Sequence, residues 1–305
     1  MNWFLIALGA PFLWAIVNIF DQYMVKKYSV GEKGSGGLVI FSSLIGIWAA
    51  IFIGIFTTGI FKIPIGDKLL LILAGGLSIS WIIIYLYTIE VEDISFIVPW
   101  FSMVPVLGYV LGYFFLGETL TTKQLIGMFV VLVGVILISI DFSLEEKFKF
   151  KWKPALYLII ACLIIAIIGV IFKYVTIQNG SFWVSSFWEY LGLGIFGVLI
   201  YIFVPKYRRE FNYMNKKGGK KIFSLNVLSE GITILGNLLS RYATLLAPIA
   251  MVYLVESFQP AIVLLIVVLG TKFFPHIIAE KIHKQVLLPK IISIIIIVAG
   301  TILLF

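Results

Sequence analysis

Long apolar stretches follow one another along the whole chain and are separated by short polar segments. Each stretch contains about 20 mostly apolar residues, the number that an α-helix needs to cross roughly 30 Å of hydrocarbon. The alternation of polar and apolar residues that a membrane β-barrel requires is absent. The pattern predicts an all-α integral membrane protein with ten transmembrane helices, at residues 3–24, 37–59, 69–89, 94–116, 122–141, 154–176, 182–204, 222–245, 248–271 and 285–305.

A polar, mostly basic segment divides the chain almost in half. Aligning residues 70–105 with 225–260 without a gap pairs Gly76 with Gly231, Tyr87 with Tyr242, Ser102 with Ser257 and Pro105 with Pro260. Two related units with five helices each must insert in opposite orientations, because five is odd. We therefore predict two inverted five-helix repeats around a central cavity, with domains 1–141 and 154–305 joined by the linker 142–153. Chance similarity among apolar helices is the alternative interpretation.

The composition narrows the function. Of the 305 residues, 61% are hydrophobic and 12% charged, and the mean hydropathy of +1.11 is typical of a protein that lies in a membrane. The net charge is +8, but Lys and Arg gather in predicted loops between the apolar stretches, mainly at 142–153 and 205–221, as expected of side chains that face lipid headgroups. The lipid bilayer is therefore the predicted partner, and nucleic acid is not.

Few residues offer catalytic or metal-binding chemistry. Cys162 is the single cysteine, and the two histidines, His276 and His283, lie in a polar segment without an HExxH pattern. A P-loop sequence is also absent, so ATP-driven transport is not expected. We predict no catalytic residues, no metal site and no cofactor.

Ionisable residues inside apolar stretches are the strongest functional candidates, because a charge at hydrocarbon depth is costly. Glu189, Glu230 and Glu256 lie in three different predicted helices of the second half. On the eighth helix, the spacing of Glu230, Asn237 and Arg241 places them on one face. Polar and aromatic stripes also run along the first, third and ninth helices, and Asp21 belongs to the first of them.

We predict that these stripes line a substrate cavity in which aromatic rings contact the ligand and polar groups recognise it. The predicted lining comprises Trp14, Asn18, Trp81, Tyr85, Trp100, Glu189, Glu230, Asn237, Arg241, Tyr253, Glu256 and Gln259. Internal pairing is the alternative interpretation, for example Arg241 neutralising a glutamate. A buried carboxylate also makes proton coupling a possible mechanism, which the sequence does not establish.

A motif at the end of the first half resembles a known family. Gly117-Glu118-Thr-Leu-Thr-Thr-Lys-Gln124-Leu-Ile-Gly127, followed by Val-Gly134-Val, is similar to the segment that closes each repeat in EamA-type transporters of the drug/metabolite transporter (DMT) superfamily. In the second half, Ala279-Glu280-Lys-Ile282 and Val-Ala-Gly300 resemble a degenerate copy, with Pro289 in place of the helix glycine. The resemblance implies a ten-helix fold with a central cavity, but no particular substrate.

Two details of this motif have physical explanations. Gly108, Gly112 and Gly117 permit close helix approach in lipid, so we assign them to packing. Glu118 precedes the fifth helix, where its carboxylate is expected to meet free amides and the positive end of the helix dipole. Both assignments are structural.

The leading hypothesis is a multi-pass transporter of the plasma or inner membrane, monomeric or homodimeric. It would move a small polar metabolite by alternating access, either secondary-active or facilitative. A lipid or polyprenyl-carrier flippase with the same fold is an alternative, and an intramembrane enzyme is a remote one. Seventeen Lys and Arg residues lie after odd-numbered helices, which places both termini outside by the positive-inside rule. The family resemblance implies cytoplasmic termini, so the orientation stays open.

Overall fold

The computed structural model describes residues 2–28, 35–138, 140–141, 149–273 and 284–303. Its α-helices are α1 (Asn2–Tyr28), α2 (Gly36–Phe56), α3 (Ile65–Val91), α4 (Ile94–Trp100), α5 (Val104–Leu116), α6 (Thr122–Ile138), α7 (Trp152–Asn179), α8 (Phe182–Phe203), α9 (Pro205–Leu246), α10 (Ile249–Glu256), α11 (Gln259–Phe273) and α12 (Lys284–Ile302). Two 3₁₀ turns occur at Ile60–Lys62 and Phe101–Met103. The strands β1 (Ile140–Asp141) and β2 (Lys149–Phe150) pair antiparallel, and β2 lies within the predicted linker.

The protein is an all-helical, multi-pass membrane protein apart from that short strand pair. Within the described residues, eight helical stretches are long and apolar enough to cross a membrane, counting α4 with α5 and α10 with α11 as continuous stretches. Two shorter apolar helices, Thr122–Gly134 and Leu287–Ile302, coincide with the predicted fifth and tenth spans. Each predicted span thus corresponds to helical structure, although α1 and α7 extend beyond their predicted ends.

Two predicted spans are broken near their centres. The span 94–116 contains the 3₁₀ turn between α4 and α5, and the span 248–271 is interrupted at Ser257 and Phe258, between α10 and α11. Proline follows each break, at Pro105 and Pro260, where the missing amide removes a helical hydrogen bond. The breaks thus free backbone polar groups in the interior of the bundle.

The prediction of a loop at 205–221 was wrong. This basic segment is helical and forms the first part of α9, which changes direction at Gly219, where φ is +54°. A straight helix of 42 residues would measure about 63 Å, twice the thickness of the hydrocarbon. The left-handed conformation of Gly219 separates the basic segment from the spanning part, and glycine adopts that conformation without strain.

The helices pack mainly across the two halves of the chain. α8 packs against α2 and α3, α9 against α1 and α2, α7 against α3 and α5, and α12 against α6. Glycines bring these helices together. A Cβ atom at Gly75 of α3 would overlap the backbone oxygen of Glu189 on α8, and one at Gly300 would lie 2.8 Å from the backbone oxygen of Gly127 on α6. Such contacts allow close backbone approach without a large side chain between the helices.

The family-like motif has a different local structure from the one predicted. Gly117 ends α5 with φ +67°, so it is a helix cap and does not pack between helices. α6 is capped by Thr121 and Gln124, since the Thr121 amide donates to Gln124 Oε1 at 2.8 Å. Glu118 instead accepts a hydrogen bond from the amide of Ile249, at the start of α10. Glu118 thus caps a helix of the opposite half, and the prediction that it meets the fifth helix was wrong.

Candidate functional site: a central polar cavity

A cavity of about 190 Å³ lies where helices of both halves meet. Its walls come from α1, α2, α3 and the α4–α5 break in the first half, and from α7, α8, α9, α10 and α11 in the second. The structure brings together eleven of the twelve side chains predicted to form the site: Trp14, Asn18, Trp81, Tyr85, Glu189, Glu230, Asn237, Arg241, Tyr253, Glu256 and Gln259.

Trp100 is the exception. It is the last residue of α4, 3% exposed, and it belongs to the main hydrophobic cluster of the protein and not to the cavity wall. The following residue, Phe101, lines the cavity in its place. Because the chain leaves α-helical geometry here, helical spacing does not predict which of the two rings faces the cavity.

Arg241 forms a compensated ionic cluster at one side of the cavity. Its Nη2 donates to Glu189 Oε1 at 3.0 Å, and its Nη1 donates to the Tyr253 hydroxyl at 3.3 Å. The guanidinium also lies 5.5 Å from the centre of the Phe172 ring, within cation–π range. Gly169 leaves room for the Tyr253 hydroxyl, which a Cβ atom there would overlap. The interpretation that Arg241 pairs with a glutamate thus holds for Glu189.

Glu256 lies at the helix break in the second half. It is the last residue of α10, and Ser240 of α9 donates a hydrogen bond to its Oε1 at 2.5 Å. Gln259, the first residue of α11, is buried beside the same cavity. The break therefore places a carboxyl and an amide group on the wall within one turn of each other.

A second acidic cluster lies on α1, α2, α3 and α9. The Tyr85 hydroxyl lies 2.9 Å from Asn18 Oδ1 and 3.1 Å from Asp21 Oδ2, so these two acceptors share its single hydrogen. Glu230 accepts a hydrogen bond from the hydroxyl of Ser42. Asp21 and Glu230 both line the cavity. We call Asp21, Glu230 and their partners Asn18, Tyr85 and Ser42 the acidic pole.

Aromatic side chains form much of the remaining wall. The ring centres of Trp81 and Phe101 are 6.4 Å apart, and those of Tyr85 and Phe101 are 6.0 Å apart. On α1, the indole of Trp14 donates to Asn237 Oδ1 at 3.1 Å. These rings give the cavity an apolar surface suited to an organic ligand.

Three polar groups of the wall have no hydrogen-bond partner within the described part of the chain. They are the Nδ2 amide of Asn18 and the hydroxyls of Ser102 and Ser186, all in residues no more than 5% exposed. An unsatisfied buried polar group costs on the order of 1–3 kcal/mol. Because the three residues line the cavity, a ligand or a water molecule is the partner that such groups would bond to.

The sequence analysis did not select Ser42, Phe101, Ser102 or Ser186, all of which line the cavity. A serine in an apolar helix usually bonds to its own backbone, as Ser43 does to the carbonyl of Val39 at 2.6 Å. Residue type alone therefore does not separate serines that line the cavity from serines that bond to their own helix. Position relative to the break would have indicated Phe101 and Ser102.

Among the described residues, no group of three or more His, Cys, Asp and Glu side chains is placed to hold a metal ion. His276 and His283, together with Ala279–Ile282 of the second motif, lie outside the described residues. The cavity wall offers carboxyl, amide, hydroxyl and aromatic groups.

Comparison with known proteins agrees with the membrane fold. Residues 1–140 match the family model described as the EamA-like transporter family, which belongs to the DMT superfamily. No curated protein sequence matches the chain. Twenty-seven chains of solved structures are similar to it. One of them, a crystal structure, has a TM-score of 0.61 at 15% identity, with 99% of this chain and 96% of that chain covered. At this identity the likeness shows a shared fold and nothing about substrate.

Proposed function

We propose that this chain, whose residues 1–140 match the EamA-like transporter family, carries a small polar metabolite across the membrane by alternating access. Transport would be secondary-active or facilitative. The observation that carries the proposal is the central cavity, in which buried charged groups from both halves of the chain meet. We place the protein in the plasma or inner membrane, as a monomer or homodimer.

Helix ends support two five-helix repeats within a ten-helix fold. In the alignment that pairs Gly76 with Gly231, the ends of α3 and α9, Val91 and Leu246, coincide. The starts of α4 and α10, Ile94 and Ile249, coincide as well. The two helix breaks also fall at aligned positions. Repeats of 1–141 and 154–305 account for these matches.

The packing pattern supports an inverted relation between the repeats. Exchanging α1 with α7, α2 with α8, α3 with α9, α4 with α10, α5 with α11 and α6 with α12 converts each main contact into another observed contact. The contact of α1 with α9 becomes that of α7 with α3, and the contact of α5 with α7 becomes that of α11 with α1. The α2–α8 and α6–α12 contacts map onto themselves. This behaviour is expected of a two-fold axis through the cavity, the arrangement that alternating access uses.

A transport assay with a matched variant tests the proposal. Purified protein in liposomes should accumulate or exchange components of a labelled metabolite pool, and Glu256→Gln should reduce that flux. Asp67→Asn is the control, because Asp67 accepts a hydrogen bond from Asn179 outside the cavity wall. If no soluble metabolite is transported but a labelled lipid moves across the bilayer, the protein is a flippase and not a metabolite carrier. Equal loss in both variants would remove the assignment of Glu256.

A further inference from the structure

We propose that the transported solute carries a protonated amino group that binds at the acidic pole, with a hydrogen-bond acceptor close to the amine and an apolar or aromatic body. The inference rests on the proposed transport function and names the substrate class of the same cavity. It follows from the charge balance of the wall, from an unpaired amide and from the placement of the aromatic rings.

The charge balance of the cavity is strongly acidic. Four carboxyl groups, from Asp21, Glu189, Glu230 and Glu256, line it, whereas Arg241 is the single basic side chain among the described lining residues. Arg241 is already paired with Glu189. The other three carboxyl groups receive the hydroxyl hydrogen bonds of Tyr85, Ser42 and Ser240. A hydroxyl brings no positive charge, and a carboxylate at hydrocarbon depth favours a cation beside it.

The two sides of the cavity differ in what they offer a cation. Near Glu189, the guanidinium of Arg241 already occupies the carboxylate and repels a second positive charge. At the acidic pole, Asp21 and Glu230 come from α1 and α9 and have no basic partner among the described lining residues. An amine therefore binds best at the acidic pole, away from Arg241.

Asn18 shows what else the ligand carries. The Tyr85 hydroxyl contacts its Oδ1, so the Nδ2 amide is left as a donor with no partner within the described part of the chain. The residue is 5% exposed and lines the cavity. A donor in this position is satisfied by a hydroxyl, carbonyl or carboxylate oxygen on the ligand. The acceptor must lie near the amine, because Asn18 and Asp21 share the hydrogen of Tyr85.

The aromatic wall accounts for the ligand body. Trp81 and Phe101 are within 6.4 Å of each other beside Tyr85, next to the acidic pole. Their faces attract a cation and contact a flat apolar group. With a volume of about 190 Å³, the cavity has room for a small organic compound.

Three probes that differ mainly in charge test the inference on the full chain. They are 2-amino-1-phenylethanol, which is cationic, 1-phenyl-1,2-ethanediol, which is neutral, and mandelate, which is anionic. We expect the amine to raise the melting temperature of the purified protein and to bind at least about ten times more tightly than the other two. Equal or tighter binding of the diol or mandelate would overturn the inference.

Two variants locate the charge. Asp21→Asn and Glu230→Gln should each weaken binding of the amine about tenfold or more, as expected for loss of a charged partner. Binding of the diol should change little, and Asp67→Asn should leave both affinities unchanged. If amine binding survives both cavity variants undiminished, the acidic pole is not its site. Should a variant fail to fold, the comparison of the three probes on the unmodified protein still decides.

Two further experiments test whether an inorganic cation occupies the acidic pole and whether the protein transports metabolites at all. Melting temperatures in sodium and potassium salts of equal ionic strength, without amine, show whether a metal ion occupies the pole. A sodium ion would replace the amine as the proposed ligand under one combination of results. Sodium would stabilise the protein, Asp21→Asn would abolish that stabilisation, and the amine would have no effect. Flux of metabolites that 2-amino-1-phenylethanol does not inhibit would reject the amine class and leave the transport function standing. If the protein transports no metabolite at all, the proposed transport function itself is rejected.

Discussion

The two broken helices begin in different ways. α4 starts after Glu92 and Asp93, which pair with Lys151 and Lys26, each at 2.8 Å. The Lys26–Asp93 pair is open to solvent, with the two side chains 46% and 39% exposed. The start of the first broken helix is therefore held in part by an exposed ion pair, which contributes little stability.

α10 starts after Ala247 and Pro248 and has no acidic residue of its own there. It uses Glu118 from the other half, which accepts from the Ile249 amide at 2.9 Å and pairs with Lys173 at 2.5 Å. Lys173 also donates to the carbonyl of Ala247 at 2.7 Å. With side chains 8% and 13% exposed, this cluster is buried. Two helices with matching backbones therefore begin at ion pairs that differ in burial, and the buried pair at the second contains Glu118 from the other half.

Removal of Glu118 should produce the largest effect. Glu118→Ala leaves Lys173 buried without its anion and the Ile249 amide without its acceptor, so we expect a loss of about 3–5 kcal/mol in unfolding free energy. Thermal and denaturant unfolding of the purified protein measure it. Glu118→Ala combined with Lys173→Met should recover part of the loss, because the unpaired charge is gone. A single variant as stable as the unmodified protein would show that the cluster does not hold α10.

A glycine contrast should rank second. Gly75→Ala on α3 forces a Cβ atom against the backbone of Glu189, which cannot rotate away, and should destabilise the protein by about 1–3 kcal/mol. Gly231 on α9 faces open space, so Gly231→Ala should be neutral or stabilise by up to about 1 kcal/mol. Melting temperatures of the two variants provide the comparison. The same loss of stability in Gly75→Ala and Gly231→Ala would contradict this contrast between the two glycines.

The aligned serines at the two breaks should differ in ligand binding. Ser102 lines the cavity with an unpaired hydroxyl, whereas the Ser257 hydroxyl lies 3.4 Å from the carbonyl of Tyr253. Ser102→Ala should weaken ligand binding by about 0.5–1.5 kcal/mol, the value of one hydrogen bond. Ser257→Ala should leave binding unchanged. Titration with a stabilising ligand measures both affinities, and a stronger effect of Ser257→Ala would contradict the assignment of Ser102 to the wall.

The exposed pair at the start of α4 should matter least. Lys26→Ala is expected to cost about 0.2–1 kcal/mol, because water screens the 2.8 Å contact with Asp93. Unfolding at low and high salt should show the difference shrinking as salt rises. A loss as large as that of Glu118→Ala would remove the contrast between the two helix starts.

The sequence predicted the spanning helices well, because the bilayer sets their length. The predicted span 182–204 and α8, Phe182–Phe203, differ by one residue. The sequence prediction failed at 205–221, where Lys and Arg suggested a loop. Within that segment Phe211 lies against Phe41, and Met214 is 4% exposed, so the helix has an apolar side packed on the bundle. Lysine and arginine are also good helix formers.

The residues of the cavity wall that could be predicted from the sequence are those whose burial costs the most free energy. Charged groups at membrane depth are expensive, so Glu230, Arg241 and Glu256 were identifiable from position alone. Ser42 and Ser186 were not, because a buried hydroxyl is cheap when it bonds to its own helix. The role of Glu118 depended on a contact with α10, more than a hundred residues away in sequence, and local sequence contains no signal for it.

The helix breaks also have a mechanical consequence. An unbroken helix behaves as a stiff rod, so tilting one end moves the other. At the breaks here, α4 packs with α11, and α5 packs with α10, so each segment is braced by a partner from the opposite half and not by its own continuation. In the alternating-access mechanism proposed above, each segment pair would bend as a separate lever, with the cavity-lining residues Phe101, Ser102 and Glu256 at the pivots.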